Sequence, residues 1–278
     1  LTLTGINSYS GGTTVSAGTL TGNTDSLQGA ITNNAAVTFN QTAAGTYAGA
    51  MSGTGSLTKT GAGALTLSGA NTYSGLTTVS NGTLAATAGA LAGTSGVTLN
   101  GGTNATTFNA VNFGGTNASL SLDAAGTANI SGTGLTVGAV TNAGHLNFTG
   151  ASATITAASL TGSGTTSFAS NAIITGGISQ GNVSVTSNLN STISGGTVAA
   201  GSLNSSSITG GTTTVTNLAT LTGAITGGTL NADSFTGTGI SAGTLNTTNA
   251  ATFSGAISSN ANVSVGGLLT AASITGGT

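Results

Sequence analysis

Apart from three tyrosines, the side chains able to move protons or hold a metal in this 278-residue chain are Asp25, Lys59, Asp123, His145 and Asp233. A Ser-His-Asp relay needs its imidazole and carboxylate held together in space. The only histidine, in Ala143-Gly144-His145-Leu146, has Asp123 as its nearest acid along the chain, so a solvent-facing imidazole is expected rather than a relay. Glycoside hydrolysis needs two carboxylates a few ångströms apart, and Asp25, Asp123 and Asp233 are too widely spaced to meet. The glycine-and-aspartate nonapeptide that binds calcium in other repeat folds is missing. Gly237-Thr238-Gly239-Ile240-Ser241-Ala242 formally fits G-x-G-x-x-A. That fingerprint needs a following helix and a later acid, whereas Gly243-Thr244-Leu245 opens another strand. The expectation is therefore no catalytic, cofactor-binding or metal-ligating residue, no cofactor, and no enzyme.

Other residues invite a structural reading. Tyr9 and Tyr73 sit beside Asn7 and Asn71 in equivalent surroundings; an aromatic contact patch is one option, a tyrosine packing a corner and an asparagine capping a turn the favoured one. Lys59 is expected on a turn. Asn-x-Thr triplets such as Asn104-Ala105-Thr106 arise by chance in so Asn- and Thr-rich a chain.

Composition narrows the partners. Charged residues make up 1% of the chain, against about a quarter in ordinary soluble domains, and the net charge is −2. One lysine and no arginine cannot neutralise a row of phosphates, so nucleic acid is excluded as a partner. No apolar run reaches the roughly 18 residues of a membrane-spanning helix. Absence of cysteine removes disulfides, zinc knuckles and thiol nucleophiles.

The elements that must position these side chains are strands. Leu1-Thr2-Leu3-Thr4, Leu65-Thr66-Leu67-Ser68 and Val183-Ser184-Val185-Thr186 alternate apolar and hydroxyl residues, the pattern of a half-buried strand. Each run ends at Gly, Asn or Ser, which turn a chain at little steric cost. In the second half, Ile178, Ile193, Ile208, Ile225, Ile240, Ile257 and Ile274 recur at short, nearly constant intervals. Five of them are followed by a hydroxyl residue, then Gly or Ala, then Gly-Thr. One recurrence is one turn of a coil, and each Ile is expected above the last. Register is pinned because a one-residue slip would turn the whole apolar column outward.

The first half carries a longer repeat. Residues 1–20, LTLTGINSYSGGTTVSAGTL, and 65–84, LTLSGANTYSGLTTVSNGTL, agree at fifteen of twenty positions. The offset between them fits four short rungs or three longer ones. The fold class expected is all-β: a parallel β-solenoid with rungs of about 15–21 residues, roughly 17 in all, forming one continuous coil over 1–278 with a soft boundary near 150.

The stretch from Gly53 through Lys59 to Leu84, GTGSLTKTGAGALTLSGANTYSGLTTVSNGTL, closely resembles the autotransporter-associated β-strand repeat of bacterial surface proteins, and residues 1–20 resemble the second half of another copy. Rungs 1–150 are similar to this repeat in style, and 151–278 are the compact Ile-x-Gly-Gly rungs. The resemblance implies export, a right-handed parallel β-helix and an extracellular or cell-surface location. The function expected is structural: a fibre, biofilm matrix or adhesin-like stalk formed by stacking or bundling of identical chains. Few charges and no polar cap at Leu1 or Thr278 favour end-to-end association into filaments. The alternative is a binding module whose flat Thr face, with Thr13-Thr14-Val15 and Thr213-Thr214-Val215-Thr216, recognises ice or surface glycans; a polysaccharide-cleaving β-helix ranks last.

Overall fold

The computed structural model describes residues 1–278 except 10, 112, 115–117, 133–134, 151–154, 259 and 276–278. The end of the last tag, Gly276-Gly277-Thr278, lies outside the described residues. Every described strand pairing is parallel and no described residue is helical. The fold is a β-solenoid of about 14 turns, fewer than the 17 expected because turns in the first half are longer. The chain divides into two compact units, Leu1–Gly150 and Ala151–Thr278.

In the first unit short segments stack on three faces, the third laddered from Thr13 to Ser52. The first face stacks Leu20 on Val37, then Leu57, Thr77, Val97, Leu120 and Val140. The second stacks Gly45, Leu65, Leu84, Phe108, Ala128 and Leu146. The third stacks Thr13, Ile31 and Met51. Alternation sends these residues inward: Val37, Leu57, Leu65, Leu84 and Phe108 are fully buried, and the ladder removes the backbone groups from solvent as it forms. The commonest step is the one from Leu57 to Thr77, twenty positions along the chain. The step from Leu84 to Phe108 is longer than any expected, because the Asn100-Gly101 segment loops outward before Thr106 rejoins the ladder.

The offset between the two repeat copies is therefore not a whole number of turns. Leu20 and its equivalent Leu84 are separated by three turns, which end at Thr77, and by a further short stretch that carries the chain to the next face. Leu20 stands on the first face and Leu84 on the second. Thr13 stands on the third and its equivalent Thr77 on the first. Within each copy the internal register is the same: Thr2 bridges Thr21, and Thr66 pairs with Ala85. Local turn geometry is kept between copies while the face is not.

The second unit winds more tightly. Ile193, Ile208, Ile225, Ile240, Ile257 and Ile274 stack one upon another, as expected from their spacing. A neighbouring column alternates large and small: Leu203, Ala219, Phe235, Ala251 and Leu269. Ala219 and Ala251 leave room for the Phe235 ring, which meets Phe253 at 5.0 Å between centroids. Such interdigitation fills a thin core without voids.

Candidate functional site

Asp25 and Asp233 lie in different units, while Asp123 and His145 lie on adjacent turns, joined where Ala143 N–H donates to the Leu122 carbonyl. Asp25 is exposed in a turn whose backbone N–H groups donate to Asn23 Oδ1. His145 is exposed and in register beside Thr127. Asp123 accepts from Gly102 N–H at 2.8 Å, pinning the long 100–105 loop to the following turn. Gly237–Ala242 lies mostly within the strand Thr229–Ile240 and meets no helix N-terminus. No group of three or more His, Cys, Asp or Glu that could hold a metal exists among the described residues.

Lys59 departs most from expectation. It lies not on a turn but at an inward strand position, between Phe39 and Val79 of the adjacent turns, and is fully buried. Its ammonium donates to the carbonyls of Thr60 (2.8 Å), Gly61 (2.7 Å) and Asn81 (3.0 Å). Those three bonds use all three donors and join consecutive turns. Desolvation pushes the Lys59 pKa down to about 8, since burial penalises the charged form.

The asparagines and tyrosines of the repeat are structural. Asn71 donates to Gly69 and Ala90 carbonyls and accepts from Met51 N–H, so one amide ties three turns. Asn7 donates to the Ser26 carbonyl of the next turn, as Asn71 does to Ala90. Tyr73 is buried, with its hydroxyl 2.6 Å from Thr77 Oγ1; Tyr9 is half-buried and donates to the Ser26 carbonyl. Burial lifts the Tyr73 and Tyr47 phenols well above their ordinary range. On the second face Asn147 donates to Asn129 and Asn129 to Asn109, at 2.9 and 2.8 Å. Breaking that amide ladder at its centre, Asn129→Ala, is expected to cost about 1–2 kcal/mol, read as a lower urea midpoint.

The hydroxyl arrays differ between the units. In the first unit Thr14 stacks on Thr32 and Ser52 as one exposed hydroxyl column, and on the first face Thr21, Thr38, Thr58, Thr78, Thr98, Ser121 and Thr141 form a longer one. In the second unit, Thr197, Thr212, Thr229 and Thr244 form one column. Two residues on, Ala199, Thr214, Asn231 and Asn246 form a second, with Asn246 donating to Asn231 Oδ1 at 2.8 Å. Thr216, Asp233 and Thr248 project beyond it. Asp233 accepts from Ser234 (3.1 Å), Thr248 (3.1 Å) and Asn249 (2.6 Å). Between these outer columns runs an open trough of about 470 Å³, with Val215, Ala232 and Thr247 beneath it. Of the Thr213–Thr216 face expected from the sequence, Thr214 and Thr216 border this trough and Thr213 is buried; the Asn231, Asp233 and Asn246 side of it was not read, its trace being Thr-Leu-Asn repeated at 229–231 and 244–246.

No described helix is long and apolar enough to cross a membrane. Comparison with curated proteins and with solved structures gives no match. A family model, the passenger-associated-transport-repeat, matches residues 1–21 and 57–86, which form successive strands of the first unit with the same internal register. In those two stretches, the chain is similar to the repeat of autotransporter passengers, as the sequence resemblance indicated.

Proposed function

We propose that this chain is a non-catalytic, surface-exposed stalk: a segment of an extracellular β-solenoid that serves as a fibre, matrix or adhesive support and associates with its own copies. The observation that carries the reading is the passenger repeat set on stacked turns. Lys59 spends its three donors on the coil itself. Surface or extracellular exposure is supported by the match of residues 1–21 and 57–86 to the passenger repeat. Self-association is supported by low charge, which leaves little repulsion between copies. Negative-stain electron microscopy across a concentration series is expected to show filaments or lateral bundles; dispersed single particles at every concentration would remove self-association from the proposal.

A binding role is the second reading, favoured by the ordered hydroxyl and amide columns of the second unit.

A further inference from the structure

The open trough of the second unit combines four properties that narrow what it could hold. It is polar along its rims, with Thr214, Asn231 and Asn246 on one side and Thr216, Asp233 and Thr248 on the other. It repeats once per turn, at a strand spacing of about 4.8 Å. Its rims are fixed by their own bonds: Asn246 to Asn231, Thr248 to Asp233, and Thr216 to the Gly201 carbonyl at 3.2 Å. Among its lining residues the only formal charge is one carboxylate.

The donors and acceptors left over are of mixed kind. An ionised carboxylate offers about four lone-pair directions, and Asp233 uses three on Ser234, Thr248 and Asn249. The amide ladder between Asn231 and Asn246 leaves Asn246 Oδ1 as an acceptor and Asn231 Nδ2 as a donor. A ligand that fits must therefore both donate and accept, at a regular interval, without carrying negative charge. Sugar hydroxyls do this, and a carboxylate beside an amide is suited to a vicinal diol. The trough between the two rows suits a single chain lying lengthwise. The turn spacing is close to the length of one pyranose ring in an extended β-1,4-linked chain.

We propose that this groove binds an extended, uncharged polysaccharide laid along the coil axis, one sugar ring per turn. The proposal deepens the binding-face reading and is independent of self-association, so an absence of filaments leaves it standing. No aromatic side chain is present among the groove-lining residues to stack on a ring, so affinity comes from hydrogen bonds that displace ordered water and is modest for a short oligosaccharide.

The test is isothermal titration calorimetry of the whole chain with cellohexaose. Saturable heat is expected, with maltohexaose, whose α-linked chain curls, binding at least tenfold more weakly. Asp233→Asn and Asn246→Ala are each expected to weaken cellohexaose binding at least tenfold, while Thr14→Ala, at an exposed position of the first unit, leaves it unchanged. Circular dichroism checks that each variant keeps its β-sheet spectrum. Should either groove variant fail to fold, Thr216→Val, which removes one rim hydroxyl, is expected to weaken binding severalfold on its own. No saturable heat, equal binding of maltohexaose, or full affinity in folded groove variants would overturn the proposal.

Discussion

Lys59→Ala is expected to be the most damaging single substitution in the first unit, at about 3–5 kcal/mol. The cost has three parts. The carbonyls of Thr60, Gly61 and Asn81 lose their donor while remaining within the coil, and an unpaired buried acceptor costs about 1–3 kcal/mol. A cavity opens between Phe39 and Val79. The link between consecutive turns is broken. Lys59→Met fills the cavity but not the bonds, so it should fall between wild type and alanine in a urea titration.

The same residue gives stability a distinctive pH dependence. Lys59 in the folded chain has its pKa lowered to about 8 from 10.5. Between those values the unfolded chain binds more protons than the folded one, so stability rises with pH across that window. The full rise is up to about 3 kcal/mol, at about 1.36 kcal/mol per pH unit. Tyr47 and Tyr73 act oppositely. Burial raises their folded pKa values, so the folded chain keeps protons that the unfolded one releases above about pH 10, and stability falls there. Denaturation midpoints should therefore climb from pH 8, peak near pH 10 and then drop. In Lys59→Met the climb disappears and the alkaline fall remains; a flat profile from pH 8 to 10 in the wild type would contradict the burial of this ammonium.

The second large effect separates two adjacent glycines of one tag. Gly196, Gly211, Gly228 and Gly243 have φ of 77°, 73°, 72° and 90°, a region that costs residues with a Cβ roughly 1–2 kcal/mol. At Gly196 a methyl group would also overlap the Gln180 carbonyl oxygen of the turn before. Gly196→Ala is expected to cost more than about 3 kcal/mol, since conformational strain and backbone overlap add. Its neighbour Gly195 has ordinary φ, and an added methyl meets nothing nearer than Ser179 Oγ at 3.6 Å. Gly195→Ala should be neutral within about 0.5 kcal/mol. Thermal melts of the two variants make the comparison, and similar melting temperatures would mean the corner is not built as described.

Much of the coil was legible because its signals are local and periodic. From Ile193 to Ile274 each Ile of the tags falls on the next because one lap of the chain brings the same inward position back. Lys59 was legible in principle as well: Ser56-Leu57-Thr58-Lys59 alternates by two, so a lysine following Leu57 at that interval must share its buried side. Hydropathy pointed the other way, and charge-assisted bonds to three carbonyls prevailed over it. The difference between Gly195 and Gly196 was not legible, since both are glycine and only the approach of the preceding turn distinguishes them. Nor was the groove at Asp233, whose parts are gathered from successive turns that are short on sequence signal and long on register.

The step of three turns plus one face between the two repeat copies has a geometric outcome. A tandem series at that interval would aim the same motif in three compass directions in succession, regaining its starting bearing only with the fourth copy. Duplication of such a segment would thus wrap a motif spirally about the shaft instead of lining it up, whereas insertions of one whole lap keep a stripe straight.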